Sequence, residues 1–273
     1  MSDRYAVIGN PISHSKSPFI HGSFAQATGQ DLEYTALEAP VGGFAAAVDA
    51  FRARGGRGLN ITAPFKLDAF AYATRRSERA ELAGAANAMK FDGDVVWAEN
   101  FDGVGLVRDV VHNLRYALRG RRVLLLGAGG AARGALLPFL GEQPGQLVIA
   151  NRTVEKAQEL ARIGESRGPV RACGYQELAG QQFDIVFNAT SASLRGEQPP
   201  VPASVFAPGA TAYELAYGKG LTPFLRLARS EGVSRLADGV GMLVEQAAEA
   251  FLWWRGVRPE TAGVIDRMVV PLA

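Results

Sequence analysis

Lys66 closes the segment Asn60-Ile61-Thr62-Ala63-Pro64-Phe65-Lys66, and Asp102 follows in Asn100-Phe101-Asp102-Gly103. A buried lysine near an acid can transfer protons, because burial lowers its pKa toward the working range. The acid can hold the lysine and hydrogen-bond a substrate hydroxyl. Either residue alone reads as half of an ordinary salt bridge. A glycine-rich turn, Gly127-Ala128-Gly129-Gly130-Ala131-Ala132, comes soon after them. A lysine, an acid and a dinucleotide-type turn in that order point to hydride transfer on an alcohol or ketone.

Other polar side chains cluster in the same stretch. Ser15 and Ser17 lie in Asn10-Pro11-Ile12-Ser13-His14-Ser15-Lys16-Ser17-Pro18 and can present hydroxyls just ahead of a helix. Ser17 also reads as an N-cap, with Pro18 at the first helical position. His14 reads as a loop-fixing hydrogen-bonder rather than an acid–base group. Asn60 and Thr62 are two apart on a short strand, so they face the same side.

The elements that must position these residues alternate. Tyr5 to Ile8 reads as a strand ended by Gly9-Asn10-Pro11, and residues 18–28 as a helix followed by Gly29. Residues 32–37 suggest a strand, 44–54 a helix, 58–62 a strand, and 66–72 the start of another helix. Further on, Arg121-Arg122-Val123-Leu124-Leu125-Leu126-Gly127 is apolar without alternation, as expected of a strand buried on both faces. A helix over 131–140, a strand over 147–150 and a helix over 154–163 follow. Strands over 183–188 and 210–215 come next, and an amphipathic helix over 240–256 carries Trp253 and Trp254, which read as packing residues. This rhythm predicts an α/β protein: an N-terminal α/β substrate domain and a doubly wound, Rossmann-type nucleotide domain. The boundary falls near Leu106. The final helical segment could return to the first domain, making it discontinuous, but the residues alone do not force that return.

The glycine turn has its proper context, a strand before and a helix after. Gly127 permits the tight turn, Gly129 admits a pyrophosphate against the backbone, and Ala132 allows close helix–strand packing. The amides and dipole of the helix N-terminus favour phosphate charge. A purely structural turn is the alternative. At the end of the second strand stands Ala150-Asn151-Arg152-Thr153, where an NAD site usually has an acid. Arg152 can pair with a 2′-phosphate, Asn151 and Thr153 can add hydrogen bonds, and Lys156 can add charge, which favours NADP. The alternative for Arg152 is a solvated surface residue.

Composition narrows the classes. With 29 Lys+Arg against 27 Asp+Glu, the net charge of +2 gives no nucleic-acid footprint. Cys173 is the single cysteine, so no internal disulfide forms, and it reads as a packing residue. No apolar stretch approaches the roughly 18–20 residues needed to span a bilayer. No signal-peptide pattern opens the chain. The expectation is a cytoplasmic soluble protein, monomer or homodimer, acting on a small molecule without a metal.

With these segments together, the chain resembles the shikimate dehydrogenase family over nearly its whole length. The matching pieces are residues 9–18, 60–66, Gly84-Ala85-Ala86-Asn87, residues 100–103, the glycine turn and Asn151-Arg152-Thr153. Later ones are Asn188-Ala189-Thr190-Ser191, residues 213–223 and residues 238–246. The resemblance implies two domains with the substrate in the cleft between them and the C-terminal helices returning to the first, so that the domains are residues 1–105 with 240–273, and residues 106–239. It implies interconversion of shikimate and 3-dehydroshikimate with NADP(H), in the shikimate pathway of aromatic amino acid and chorismate biosynthesis. By position, Ser15, Ser17 and Tyr217 would bind the substrate carboxylate, and Asn60, Thr62, Asn87, Asp102 and Gln246 the ring hydroxyls. Lys66 would be the acid–base residue with Asp102 its partner. Gly127, Ala128, Gly129, Gly130, Ala131, Asn151, Arg152, Thr153, Lys156, Thr190, Ser191, Leu215, Gly239 and Met242 would surround NADP, with Glu78 near it. Three positions depart from the family pattern: Phe101 for a threonine, Ala63 for a valine and Ala88 for a threonine. Phe101 either reshapes substrate access or repacks behind Asp102. A quinate-preferring paralogue and a catalytically silent nucleotide- or metabolite-binding protein stay open as alternatives.

Overall fold

A computed structural model describes residues 2–272. The chain divides into two compact units, Met1–Gly105 with Val244–Asp266, and Leu106–Leu243 with Arg267–Ala273. The first unit is built from β1 (Asp3–Gly9), α1 (Ser17–Thr28), β2 (Leu32–Glu38), α2 (Phe44–Ala53), β3 (Gly56–Ile61) and α3 (Lys66–Tyr72). It continues with β4 (Arg75–Arg76), α4 (Glu78–Ala83), β5 (Ala88–Asp92), β6 (Val95–Glu99) and the opening of α5 (Asp102–Arg108). Its sheet runs β2-β1-β3-β5-β6-β4. β1 lies parallel to both β2 and β3, while β5 is antiparallel to β3 and to β6. The β5–β6 hairpin, turning at Gly93 with φ +56°, is absent from the strand–helix rhythm read above. Asp92-Gly93-Asp94 is the local signal for it.

The second unit holds β7 (Arg122–Leu126), α6 (Gly130–Gly141), β8 (Gln146–Ala150), α7 (Val154–Gly164), β9 (Val170–Cys173) and β10 (Phe183–Asn188). After these come β11 (Phe206–Glu214), α8 (Pro223–Ser230), β12 (Arg235–Asp238) and the start of α9 (Val240–Arg255). The six strands are all parallel in the order β12-β11-β10-β7-β8-β9. The order reverses between β7 and β10, the switch point where doubly wound sheets bind ligands at the strands' carboxyl ends. Val123, Leu124, Leu125 and Leu126 are fully buried, as their unbroken apolar run requires. Cys173 is buried in the core with Leu124, Val148 and Phe183.

Two expectations need correction. Residues 240–243 and the segment Arg267–Ala273 group with the second unit, not with the first. Leu272 packs on the second unit's core, and its carbonyl accepts from Arg229 of α8. Ser17 is not the N-cap of α1. Lys16 occupies that place, and the Ser17 amide donates to Ser15 Oγ at 3.3 Å, so Ser15 satisfies the orphan N–H. Ser17, Ile20, His21, Phe24 and Ala25 then form the buried face of α1 at helical spacing.

Candidate active site

In the first unit, three connections ending near one another gather the polar side chains. Asn60 sits at the end of β3 opposite Ala88 of β5, and the Ile61 amide donates to Asn87 O at 2.9 Å. The Asn87 amide donates to Glu99 O at the end of β6, and the Ala86 amide donates to Lys66 O. These backbone links carry Lys66, Asn87 and Asp102 to one place, although 36 residues separate the lysine from the aspartate. Lys66 Nζ meets Asp102 Oδ2 at 2.6 Å. Asn87 Nδ2 donates to Asp102 Oδ1 at 2.8 Å and to Gln246 Oε1 at 3.2 Å, and Asn87 Oδ1 accepts from the Phe101 amide. The aspartate is thus gripped through both oxygens. The Lys66 side chain keeps 38% of its exposure. The burial expected of it is absent, because it stands at the first turn of a short helix with exposed Leu67 and Asp68 beside it.

Supporting residues surround this pair. Glu99 is buried and accepts from Ser77 Oγ, from Arg79 and from the Asn100 amide. Asn100 in turn accepts the Asp102 amide at 3.1 Å and donates to Ala85 O. Phe101 is buried, edge-on to Trp253 at 5.7 Å, with the Arg79 guanidinium 5.6 Å from its ring. Its ring packs into a cluster with Ala88, Ala250 and Trp254. Ala88 is buried in β5, whereas Ala63 is exposed. Asn60 is buried and accepts from the Tyr34 hydroxyl at 2.7 Å. Thr62 follows β3, its amide donating to Ile8 O and its methyl leaving no room for a Cβ at Gly9. His14 is exposed, and no hydrogen bond holds its ring among the described residues.

The second unit has its own pocket, of about 440 Å³, at the carboxyl ends of β7, β8 and β10. Gly127, Ala128, Gly129, Asn151, Arg152, Thr153, Lys156, Thr190 and Ser191 line it. Gly127 has φ +106°, and a Cβ there would lie 3.1 Å from Ala189 O, so only glycine fits without strain. At Gly129 and Gly130 an added Cβ would meet nothing, so the turn is open beside the start of α6. No side chain caps that helix, whose N-cap is Gly129. The donors are unspent, as a phosphate-binding turn requires. Asn151 donates to Thr153 O at 2.8 Å, shaping the loop that presents Arg152. Tyr175, Arg195 and Glu197 also line the pocket and were not read from the sequence. Arg195 joins Ser191 Oγ to Glu197.

One further residue that sequence reasoning missed supports the loop bearing Thr190. Glu214 is fully buried and accepts from Asn188 Nδ2, Ser193 Oγ and Thr222 Oγ1. Asn188 Oδ1 accepts from both the amide and the hydroxyl of Thr190, so the carboxylate sets the loop bearing Thr190. Burial pushes the Glu214 pKa above its ordinary value, and the donors offset only part of that. Leu215, Gly239 and Met242 do not line the pocket. The Leu215 amide donates to Asn188 O, Gly239 sits so close to Leu215 O that a Cβ would overlap it, and Met242 lies in the first turn of α9. Ala131 is in the first turn of α6, Tyr217 is exposed in the second unit, and Glu78 opens α4 of the first. Among the described residues no helix is long and apolar enough to cross a membrane, and no cluster of His, Cys, Asp and Glu could hold a metal.

Comparison with known proteins adds three kinds of match. Residues 7–89 match the shikimate dehydrogenase substrate binding domain, residues 109–195 the shikimate/quinate 5-dehydrogenase domain, and residues 239–268 the shikimate 5′-dehydrogenase C-terminal domain. The NADP⁺-dependent shikimate dehydrogenase of Nitrosospira multiformis is 57% identical, covering 98% of each chain. The crystal structure of an Ael1 enzyme from Pseudomonas putida is 64% identical, covers 100% of both chains and superposes with a TM-score of 0.97. Shikimate 5-dehydrogenase of Thermus thermophilus, solved with NADP(H) and shikimate, is 29% identical with a TM-score of 0.84, over 98% of this chain and 100% of that one.

Proposed function

The chain belongs to the shikimate dehydrogenase family, and on that premise we propose that it interconverts shikimate and 3-dehydroshikimate with NADP(H). The observation that carries this reading is the Lys66–Asp102 contact at 2.6 Å, locked through Asn87. When bound, NADP⁺ supplies the acceptor for the hydride that leaves the hydroxyl-bearing carbon. Loss of hydride from that carbon makes its hydroxyl acidic, and the proton passes from the hydroxyl oxygen to Lys66 Nζ. In the reverse direction protonated Lys66 returns it to the oxygen on which negative charge develops. Asp102 orients the lysine and keeps a counter-charge beside it. Its other oxygen, fixed by Asn87, accepts from a neighbouring ring hydroxyl. Ser15, Ser17, Asn60, Thr62 and Gln246 set the rest of the substrate's orientation, with Tyr217 on its carboxylate.

The second unit's pocket suits the dinucleotide. The open amides of α6 take the pyrophosphate, and Arg152 with Lys156 takes the 2′-phosphate, since no acid ends β8. Leu215, Gly239, Met242 and Glu78 lie outside that pocket, and their place near the cofactor rests on the family resemblance alone. We place the enzyme in the cytoplasm, as monomer or homodimer, within aromatic amino acid biosynthesis.

The test offers purified protein shikimate or quinate, each with NADP⁺ or NAD⁺, and follows reduced-nicotinamide absorbance. Shikimate with NADP⁺ is expected to turn over fastest. Absorbance rising only with quinate and NAD⁺ overturns the assignment. Tight cofactor binding without turnover on any pair identifies a silent binder.

A further inference from the structure

Asn60 has a carboxamide that is nearly symmetric in shape and opposite in chemistry at its two ends. One end accepts hydrogen bonds and the other donates. Which end faces which neighbour decides what the residue offers a ring hydroxyl. Asn60 is buried, so the protein and not the solvent makes that choice.

Two contacts make it. The Tyr34 hydroxyl stands 2.7 Å from Asn60 Oδ1, and Asn60 Nδ2 lies 3.4 Å from Asn87 O. Turning the amide over would set its oxygen against the Asn87 carbonyl oxygen, two acceptors face to face. The remaining freedom rests with the Tyr34 hydroxyl, which has the Ser17 side chain as a second hydrogen-bonding neighbour, and that ring is clamped. His21 of α1 lies on it at 4.2 Å between centroids and 5° between planes. Trp254 backs His21 at 5.4 Å, and the indole N–H is tied to Met89 O at 3.0 Å. Tyr5 stacks on Trp254 at 4.7 Å. Both nitrogens of His21 are buried without a well-formed hydrogen bond, although the Asn60 side chain lies close enough to favour the ring's charged form, so the ring serves chiefly as a flat plate. Burial pushes its pKa down to about 3, which keeps the plate uncharged, and pushes the Tyr34 phenol up, which keeps its proton available to donate.

A continuous chain follows: Tyr34 to Asn60, Asn60 to the Asn87 carbonyl, Asn87 Nδ2 to Asp102, and Asp102 to Lys66. We propose that Tyr34, clamped by His21, is a positioning residue that orients the Asn60 carboxamide for substrate recognition. Tyr34 acts through Asn60; an effect carried through Ser17 instead would persist when Asn60 is replaced. This rests on the reading of Asn60 as a substrate contact.

The test is a double-mutant cycle of Tyr34→Phe and Asn60→Ala on the full-length protein, measuring KM for shikimate, KM for NADP⁺ and kcat. Tyr34→Phe keeps the ring on its plate and deletes only the donor. It is expected to raise the shikimate KM about tenfold, the loss of roughly one well-formed buried hydrogen bond. The NADP⁺ KM should hold. In the Asn60→Ala background the same change should do nothing further. Equal effects of Tyr34→Phe in both backgrounds overturn the positioning role, as does no effect in the parent. A general loosening of the fold would instead raise the NADP⁺ KM and lower kcat in both backgrounds, which also counts against it. If Asn60→Ala alone leaves the shikimate KM unchanged, the fault lies with the reading of Asn60, and the inference built on it falls too.

Discussion

The buried imidazole of His21 makes the first unit acid-sensitive by an amount that can be worked out. Burial lowers its pKa from 6.5 to about 3, outweighing the Asn60 side chain, which favours the charged ring. In the unfolded chain the ring takes a proton near pH 6.5, while in the folded chain it stays neutral far below that. The unfolded state therefore binds more protons throughout the window between the two values, and stability falls as pH falls. The contribution is complete above pH 6.5 and is lost progressively on the way down to about 3. At about pH 4.5 the gap spans about two units, each about 1.4 kcal/mol, so this one side chain costs about 3 kcal/mol. Against a total stability of roughly 5–15 kcal/mol that is a large share. Carboxylates also titrate in this window, so the measurement is a difference. His21→Phe keeps a ring on Tyr34 and removes the titration. Urea unfolding of both proteins at about pH 8 and about pH 4.5 isolates the term. Trp97, Trp253 and Trp254 are all three tryptophans of the chain and all lie in the first unit, so their fluorescence reports that unit alone. The variant should gain about 3 kcal/mol on the parent between the two conditions. A stability difference that stays constant with pH refutes the reasoning.

Three further outcomes are expected. Arg152→Ala should weaken NADP⁺ about tenfold or more while leaving NAD⁺ nearly unchanged, measured by equilibrium binding, since one charge-assisted contact is worth about 1.5–3 kcal/mol. Glu214→Gln should flatten the pH dependence of stability seen by circular dichroism. The folded pKa of Glu214 is raised, so its contribution is full below the ordinary value of 4.5 and shrinks as pH climbs through the raised one. The parent should lose stability to the variant along that climb. Gly127→Ala should destabilise the second unit by about 1–3 kcal/mol in thermal unfolding, because the new side chain meets both a positive φ and the Ala189 carbonyl.

The cofactor turn was legible because its logic is local. Val123 to Leu126, Gly127 and Ala132 are consecutive, and burial, conformation and packing each follow from residue type at that spacing. Lys66 and Asp102 were legible as candidates, but their meeting was not. It depends on Asn60 pairing opposite Ala88 and on the amides of Ala86 and Asn87 reaching Lys66 and Glu99, long-range links without a local signature. The exposure of Lys66 escaped for the same reason. Tyr34 and Glu99 carry no motif, and Glu214, though inside the matching piece 213–223, gave no role of its own, since a buried polar residue is recognised by its partners and those lie elsewhere in the chain. His21 had a signal, its place with Ile20 and Phe24 on the apolar face of α1. The fate of residues 267–272 turned on Leu272 finding the second core, a choice that a short terminal segment does not announce.

The most direct measurement on the central claim is single-turnover oxidation of shikimate by Lys66→Ala, beside the substrate's binding constant for the same variant with NADP⁺ bound. Removal of the proton acceptor should slow turnover by about 100- to 10,000-fold while affinity changes by only a few-fold. Near-normal turnover with affinity collapsed would make Lys66 a binding residue and leave the proton transfer without an owner.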